Sequence, residues 1–203
     1  YIHRGLLAHL NSEAELAAVL GHELAHVTAR HVARRQTKGI LASVLATGAA
    51  IATGSSAIAQ LANIGATAWI QGYGREAEME ADRLGLEYSA KSGYRPEAMQ
   101  ETFKVFKNQE TFERNRAREE GREPRIYHGI FSSHPAPDAR VIQAAKGAAN
   151  IESEPEGGWI DNREPYLKII DGLPYGSSRA QGIVRDNRFY HADMRLTMAY
   201  PKG

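Results

Sequence analysis

The pattern His22-Glu23-Leu24-Ala25-His26 is the feature that most restricts how this chain can fold. On an α-helix, residues four apart lie about 40° apart around the axis and about 6 Å along it, so two such imidazoles can reach one ion. Glu23 is then held beside that ion without having to bind it, and it can accept a proton from a metal-bound water. The pattern therefore predicts a helix, a metal ion, and a third ligand from elsewhere in the chain.

The helix that carries this pattern has a clear predicted start. Ser12 and Glu15 have the spacing of a capping box, and good helix formers follow as far as about Gln36. Three apolar residues flank the histidines: Leu20, Leu24 and Val27. We therefore expect one helix from Ser12 to about Gln36, with its histidines near a buried face where unpaired imidazoles would be costly.

The chain has no cysteine, so a transition metal must be held by imidazole and carboxylate groups. His31 is the nearest further histidine, but nine residues from His22 it is rotated by about 180° around the same helix. We expect His31 to point away from the metal, as a solvated or capping side chain. The position that supplies the third histidine in metzincins is occupied here by Val32.

A second predicted helix, from about residue 75 to residue 92, offers carboxylates in two consecutive turns: Glu76, Glu78, Glu80 and Asp82. Glu78 and Asp82 share a face. Glu78 can therefore bind the metal, while Asp82 accepts the outer N–H of a liganding imidazole and fixes its tautomer. For an isolated cluster, a solvated acidic face balanced by Arg75 and Arg83 would be the better interpretation. The upstream histidine pattern reverses that preference.

Residues 39 to 74 form a segment of 36 residues without a charged side chain, rich in Ala, Gly, Ser and Thr. A membrane helix needs about 20 predominantly apolar residues. The longest apolar run here, 40–52, has 13 and ends in Thr-Gly-Ser-Ser. We therefore predict a helical lid or hairpin over the catalytic cleft, with a membrane-touching element as the alternative.

The remaining sequence predicts a helical domain followed by a smaller unit. Gly93 caps the second helix and Pro96 starts a third, which runs to about Glu120. An ordered loop, a short helix and a linker are expected at 121–137, 138–149 and 150–158. Clusters of β formers between turn residues then occur at 166–170, 182–185 and 194–200. We predict a catalytic domain at 1–149 and a small β-rich module at 150–203.

The charge balance is nearly neutral, with 25 Lys and Arg against 24 Asp and Glu. It gives no bulk electrostatic reason to expect nucleic acid as a partner. The chain starts at Tyr1, without an initiator methionine or a signal peptide, and is expected to be a fragment trimmed at its N-terminus.

Three separated stretches resemble the zinc metallopeptidases that include HtpX, the CAAX prenyl endopeptidase and periplasmic BepA-like proteases. Residues 11–27, Asn-Ser-Glu-Ala-Glu-Leu-Ala-Ala-Val-Leu-Gly-His-Glu-Leu-Ala-His-Val, resemble the family's active-site helix. Residues 78–82, Glu-Met-Glu-Ala-Asp, resemble its Glu-x-x-Ala-Asp segment. Ser-His-Pro at 133–135 followed by Asp-Ala-Arg at 138–140 resembles its third motif. The matches occur in the family's order and extend over residues 1 to about 145.

The resemblance implies roles for individual residues. It assigns the third zinc ligand to Glu78 rather than to Glu76 or Glu80, completing a gluzincin site with one Zn²⁺ per chain. It places His134 and Arg140 at the cleft, where either could stabilise the oxyanion that forms during hydrolysis. In some periplasmic relatives the matching histidine is thought to occupy the fourth metal position in a resting state. The sequence leaves both roles open for His134.

The combined prediction is an α+β zinc endopeptidase with a mainly helical gluzincin-type core, a small edge sheet and a small β-rich C-terminal module. Residues 1–4 are expected to be a remnant of the edge strand that presents the substrate. Without convincing spanning helices, the chain fits a periplasmic or cell-envelope quality-control protease of misfolded or misassembled proteins. Contact with the membrane or the outer-membrane assembly machinery is left open. The alternative is a chaperone-like or binding protein whose zinc site is catalytically silent.

Overall fold

A computed structural model gives the structure of the protein and describes residues 2–124, 138–152, 154–173, 182–185 and 188–199. Those residues form seven helices and one small antiparallel sheet. The helices are α1 (Arg4–Leu7), α2 (Glu13–Thr28), α3 (His31–Thr53), α4 (Ser56–Lys91), α5 (Glu97–Glu119), α6 (Asp138–Ala149) and α7 (Arg163–Ile170). The strands are β1 (Ile183–Arg185), β2 (Arg188–His191) and β3 (Leu196–Ala199). The prediction of a mainly helical α+β protein is confirmed in this coarse form.

Helix α2 begins as its capping residues predict. The Ser12 hydroxyl accepts the Glu15 backbone N–H at 3.2 Å, and the Glu15 carboxylate accepts the Asn11 backbone N–H at 2.7 Å. The helix does not continue to Gln36, so that part of the prediction is wrong. It ends at Thr28, Arg30 adopts a left-handed conformation with φ 52°, and α3 starts in a new direction at His31.

Helices α3 and α4 form a helical hairpin that contains the uncharged segment. They are joined at Gly54, whose φ of +60° favours glycine at this turn. Helix α4 is continuous from Ser56 to Lys91, so the predicted start near Arg75 is wrong. The second half of the uncharged stretch and the acidic cluster therefore belong to the same helix. Whether the hairpin acts as a lid stays a prediction. Among the described residues, no helix combines the length and apolar character needed to cross a bilayer.

Helices α2 and α4 cross at backbone contact. A Cβ added to Gly85 would lie 2.6 Å from the backbone nitrogen of His22, and one added to Gly21 would lie 2.6 Å from the Gly85 carbonyl oxygen. Both helices also carry small buried residues: Ala14, Ala18 and Ala25 on α2, and Ala77 and Ala81 on α4. Because no side chain separates the helices at the crossing, the acidic turns of α4 lie directly against the histidine turns of α2.

The hydrophobic core lies between α2, α4 and α5, with α6 packed against α4 and α5 and with α7 packed against α2. Its larger side chains include Leu10, Leu86, Met99, Phe103 and Tyr166. Tyr166 is 4 % exposed and its hydroxyl donates to the Leu7 carbonyl at 2.8 Å. The prediction of a strand at 166–170 is therefore wrong. Tyr166 and Ile170 have the four-residue spacing of one helical face, and both contact this core.

The three strands form an antiparallel meander in the order β1-β2-β3. Strands β1 and β3 lie in the two later segments in which β formers were predicted, and β2 lies between those segments. No strand forms at the other end of the described chain: Arg4 begins α1, and Ile2 and His3 belong to no element. The edge-strand prediction is wrong for these three residues, and Tyr1 lies outside the described residues.

The segment that leads into α7 is attached to the start of the motif-bearing helix. The Ala14 N–H donates to the Asp161 carbonyl at 3.2 Å, and the Asn162 amide donates to the Glu13 carboxylate at 2.7 Å. The Tyr94 hydroxyl donates to the other Glu13 oxygen at 2.7 Å. These bonds satisfy an orphan N–H of the first turn of α2 and anchor the chain beyond residue 158 to α2.

Replacing Gly85 with alanine is expected to lower the free energy of unfolding by about 1–3 kcal/mol, because its methyl group would meet the backbone of α2. Gly74, on the same helix, has open space around an added Cβ. Gly74→Ala should therefore be neutral or stabilising by up to about 1 kcal/mol through helix propensity. Urea denaturation of both variants measures the difference, and equal stability would contradict the close crossing.

Candidate metal centre

Two imidazoles and one carboxylate converge where α2 faces α4. The Nε2 atoms of His22 and His26 lie 3.1 Å apart. Glu78 Oε2 lies 3.5 Å from His22 Nε2, and Glu78 Oε1 lies 3.4 Å from His26 Nε2. One potential ligand atom from each of the three residues lies within 4.8 Å of the others. The structure thus brings together the three residues that the sequence predicts as ligands.

The spacing of these atoms fits a small tetrahedral cation. Ligand atoms about 2.0–2.1 Å from Zn²⁺ in tetrahedral arrangement are separated by about 3.3–3.4 Å. The two imidazole nitrogens, 3.1 Å apart, are close to that value, and each Glu78 oxygen lies 3.4 or 3.5 Å from one of them. Two imidazole nitrogens and one carboxylate are also the donor set of many catalytic zinc sites, which keep a fourth position open. The residues present therefore fit this metal.

Asp82 lies behind His22, on the side opposite to the convergence. Its Oδ1 atom is 2.9 Å from His22 Nδ1, and the residue is only 1 % exposed. A proton on Nδ1 leaves the Nε2 lone pair directed at the cluster. Burial acts to lower the pKa of His22, but hydrogen bonds to Asp82 and Glu78 outweigh it, so that this pKa lies above its ordinary value.

Arg140 from α6 joins the two carboxylates of α4. Its Nε and Nη2 atoms each donate to an oxygen of Asp82 at 2.6 Å, and its Nη1 atom is 3.0 Å from Glu78 Oε2. The residue is 2 % exposed, and its guanidinium lies 4.7 Å from the centre of the Phe103 ring. Arg140 reaches the site as expected, but its guanidinium is directed at the protein's own carboxylates.

His31 does not point away from the site, and this prediction is wrong. It is 4 % exposed, and its Nδ1 atom lies 2.9 Å from His26 Nδ1. Its Nε2 atom lies 3.2 Å from Glu80, a contact that together with Arg34 lowers the pKa of that carboxyl. The angular estimate failed because it assumed one helix, whereas the chain turns at Arg30. In the sequence, the only indication that His31 belongs to the site was its position five residues after His26.

Glu23 lies between the two histidines on α2 and is partly buried. The apolar residues beside the motif were expected on a buried face, but they are exposed: Leu20 by 44 %, Leu24 by 52 % and Val27 by 72 %. The buried residues of α2 are instead mostly small ones. The three exposed apolar residues share a face of α2 that lies about 140–160° around the helix from His22, so they point away from the cluster. His134, the other predicted residue of the cleft, lies outside the described residues.

Comparison with protein families matches residues 1–148 to the model of peptidase family M48. The chain belongs to peptidase family M48. That match contains α2, α4 and α6, and hence every residue of the described cluster.

Curated relatives extend the match beyond the family domain. A putative beta-barrel assembly-enhancing protease of Vibrio cholerae is 33 % identical over 193 residues, which cover 91 % of this chain and 35 % of the relative. The beta-barrel assembly-enhancing protease of Yersinia pestis is 30 % identical over 179 residues, or 83 % of this chain and 34 % of the relative. The mitochondrial metalloendopeptidase OMA1 of Arabidopsis thaliana is 37 % identical over 93 residues, 45 % of this chain and 18 % of the relative. The chain spans about a third of the length of the two bacterial relatives.

Removing the Arg140 guanidinium is expected to destabilise the metal-free protein strongly. Arg140→Gln leaves the buried Asp82 carboxylate without its bidentate partner, which should cost about 3–5 kcal/mol of unfolding free energy. The control is Arg114→Gln, which breaks an exposed ion pair with Glu110 and should cost less than about 1 kcal/mol. Denaturant unfolding in the presence of a chelator compares the two. A similar small loss in both would show that the buried pair contributes little.

Proposed function

We propose that this chain is the catalytic part of a zinc-dependent endopeptidase, with His22, His26 and Glu78 as the ligands of one Zn²⁺. The observation that carries the proposal is the convergence of three potential ligand atoms within 4.8 Å, in a domain that belongs to peptidase family M48. Two histidines from one helix and a glutamate from a later helix form a gluzincin-type ligand set. The match to zinc–ligand geometry supports this metal.

The chemistry divides between the metal and the chain. Zinc, when bound, lowers the pKa of its water to about 7 and polarises the peptide carbonyl. Glu23 takes a proton from the attacking water and later delivers it to the leaving amine. Its place between the two histidines on α2 keeps this carboxylate at the site without making it a ligand. His22 and His26 present Nε2 lone pairs, while partners on their Nδ1 atoms hold the rings in place.

We assign Arg140 to positioning rather than to direct stabilisation of the oxyanion. Its donors are directed at Asp82 and Glu78, and it is almost completely buried. An oxyanion donor must instead face the position that the reacting oxygen will occupy. His134 therefore remains the proposed residue for that role, or for reversible occupation of the fourth metal position in a resting state.

The proposed substrates are polypeptides of the bacterial cell envelope, and the proposed location is the periplasm. Two relatives are named as beta-barrel assembly-enhancing proteases, and the chain matches each over most of its own length. Contact with the outer-membrane assembly machinery belongs to the same proposal.

A chaperone-like protein with a silent zinc site is the competing function. Glu23→Gln removes the proposed base while keeping the size of the side chain. Casein cleavage should fall by at least about 10²-fold, with the zinc content unchanged. Cleavage assays and metal analysis of the same preparation measure both quantities. Retained cleavage would rule out Glu23 as the base, and an unchanged phenotype in cells would favour the binding protein.

Glu78→Ala should remove bound zinc from the purified protein. Zinc affinity should fall by more than about 100-fold, because loss of a residue that only hydrogen-bonds a ligand already costs about 10–100-fold. Glu76→Ala is the matched control, because Glu76 is an exposed acid two positions earlier on the same helix. It should retain one zinc per chain. Metal analysis after dialysis distinguishes the two, and normal zinc content in Glu78→Ala would overturn the ligand assignment.

A further inference from the structure

We propose that His31 is a positioning residue that fixes the tautomer and ring orientation of His26, with Glu80 as its own anchor. The proposal rests on the proposed metal centre. It assigns the second liganding histidine a protein partner, which neither the motif nor the family match supplies. The geometry that carries it is a chain of close contacts from His26 through His31 to Glu80 and Arg34.

The contacts determine where the protons lie. The Glu80 carboxylate can only accept, so the His31 nitrogen 3.2 Å away, Nε2, carries the proton. In the neutral ring of His31, Nδ1 then has a lone pair and accepts from His26 Nδ1–H across 2.9 Å. That arrangement leaves the lone pair of His26 on Nε2, the atom that faces His22 and Glu78. Each link therefore favours the one tautomer of His26 that can bind a metal.

The environment holds this arrangement in place. His31 is 4 % exposed, and its ring meets the His26 ring edge to face, with centroids 4.8 Å apart. Glu80 is itself held by Arg34, whose Nη1 atom donates to the same oxygen at 3.0 Å. Arg34 lies one helical turn after His31 on α3, so the break at Arg30 brings both residues to the site together.

Both histidine ligands are therefore held in position at Nδ1, each by a different kind of partner. His22 has Asp82, which Arg140 holds, and His26 has His31, which Glu80 holds. Support of this kind orients a liganding ring, and its loss typically costs about 10–100-fold in metal affinity. The competing explanation is that His31 only fills space at the start of α3.

Three substitutions of His31 separate positioning from packing. In His31→Asn, the amide oxygen lies near the former Nδ1 position and can accept from His26. In His31→Gln, the amide nitrogen lies near the former Nε2 position and can donate to Glu80 only. His31→Phe removes both contacts while filling the space. Competition for Zn²⁺ against a chromophoric chelator should show about 10–100-fold weaker binding in the Phe and Gln variants, with most of the loss restored in the Asn variant.

The controls separate loss of fold from loss of zinc. Tyr166→Phe removes a buried hydrogen bond far from the site and should leave zinc affinity unchanged, whatever it does to thermal stability. Glu80→Leu should weaken zinc binding even if His31→Phe does not fold, because it removes the anchor of His31. In the zinc-loaded protein, ¹⁵N NMR should show a protonated His26 Nδ1, and that signal should change in His31→Gln.

The outcomes are distinct. Wild-type affinity in folded His31→Phe or His31→Gln, or no recovery in His31→Asn, would overturn the positioning role and leave the metal centre intact. Failure of the wild-type chain to bind Zn²⁺ at all would overturn both proposals.

Discussion

Backbone contact between α2 and α4 is the constraint on which the site depends. Gly21 and Gly85 allow the two helices to approach so closely that any larger residue at either position would meet main-chain atoms. The short side chains of Glu78 and Asp82 then span the gap to the histidines of α2 directly. A wider crossing would leave these carboxylates short of the imidazoles.

The charges at this crossing explain why a divalent cation suits it. Glu78 and Asp82 bring two negative charges into a buried region, and Arg140 returns one positive charge. With neutral imidazoles, the cluster is left with one uncompensated negative charge in surroundings where ions are poorly solvated. The raised pKa of His22 reflects these same carboxylates. A bound cation therefore offsets a cost that the folded protein already carries.

The sequence predicted what depends on local spacing and missed what depends on chain direction. The four-residue interval between His22 and His26 and the shared face of Glu78 and Asp82 are helical regularities, and the structure brings all four side chains together. The turn at Arg30 has no such signature, because the stretch Thr-Ala-Arg-His contains neither glycine nor proline. The β-branched residues Ile169 and Ile170 favoured a strand. The segment is instead a helix that buries Tyr166 against the core.

The continuity of α4 has a mechanical consequence. The Glu78 carboxylate and the tip of the hairpin at Ser56 belong to one rod, separated by 22 residues or about 33 Å of helix. No proline interrupts the helix between them. At that length, a tilt of about 5° moves the tip by about 3 Å. A contact that tilts α4 at its Ser56 end would therefore also change the position of Glu78 relative to His22 and His26.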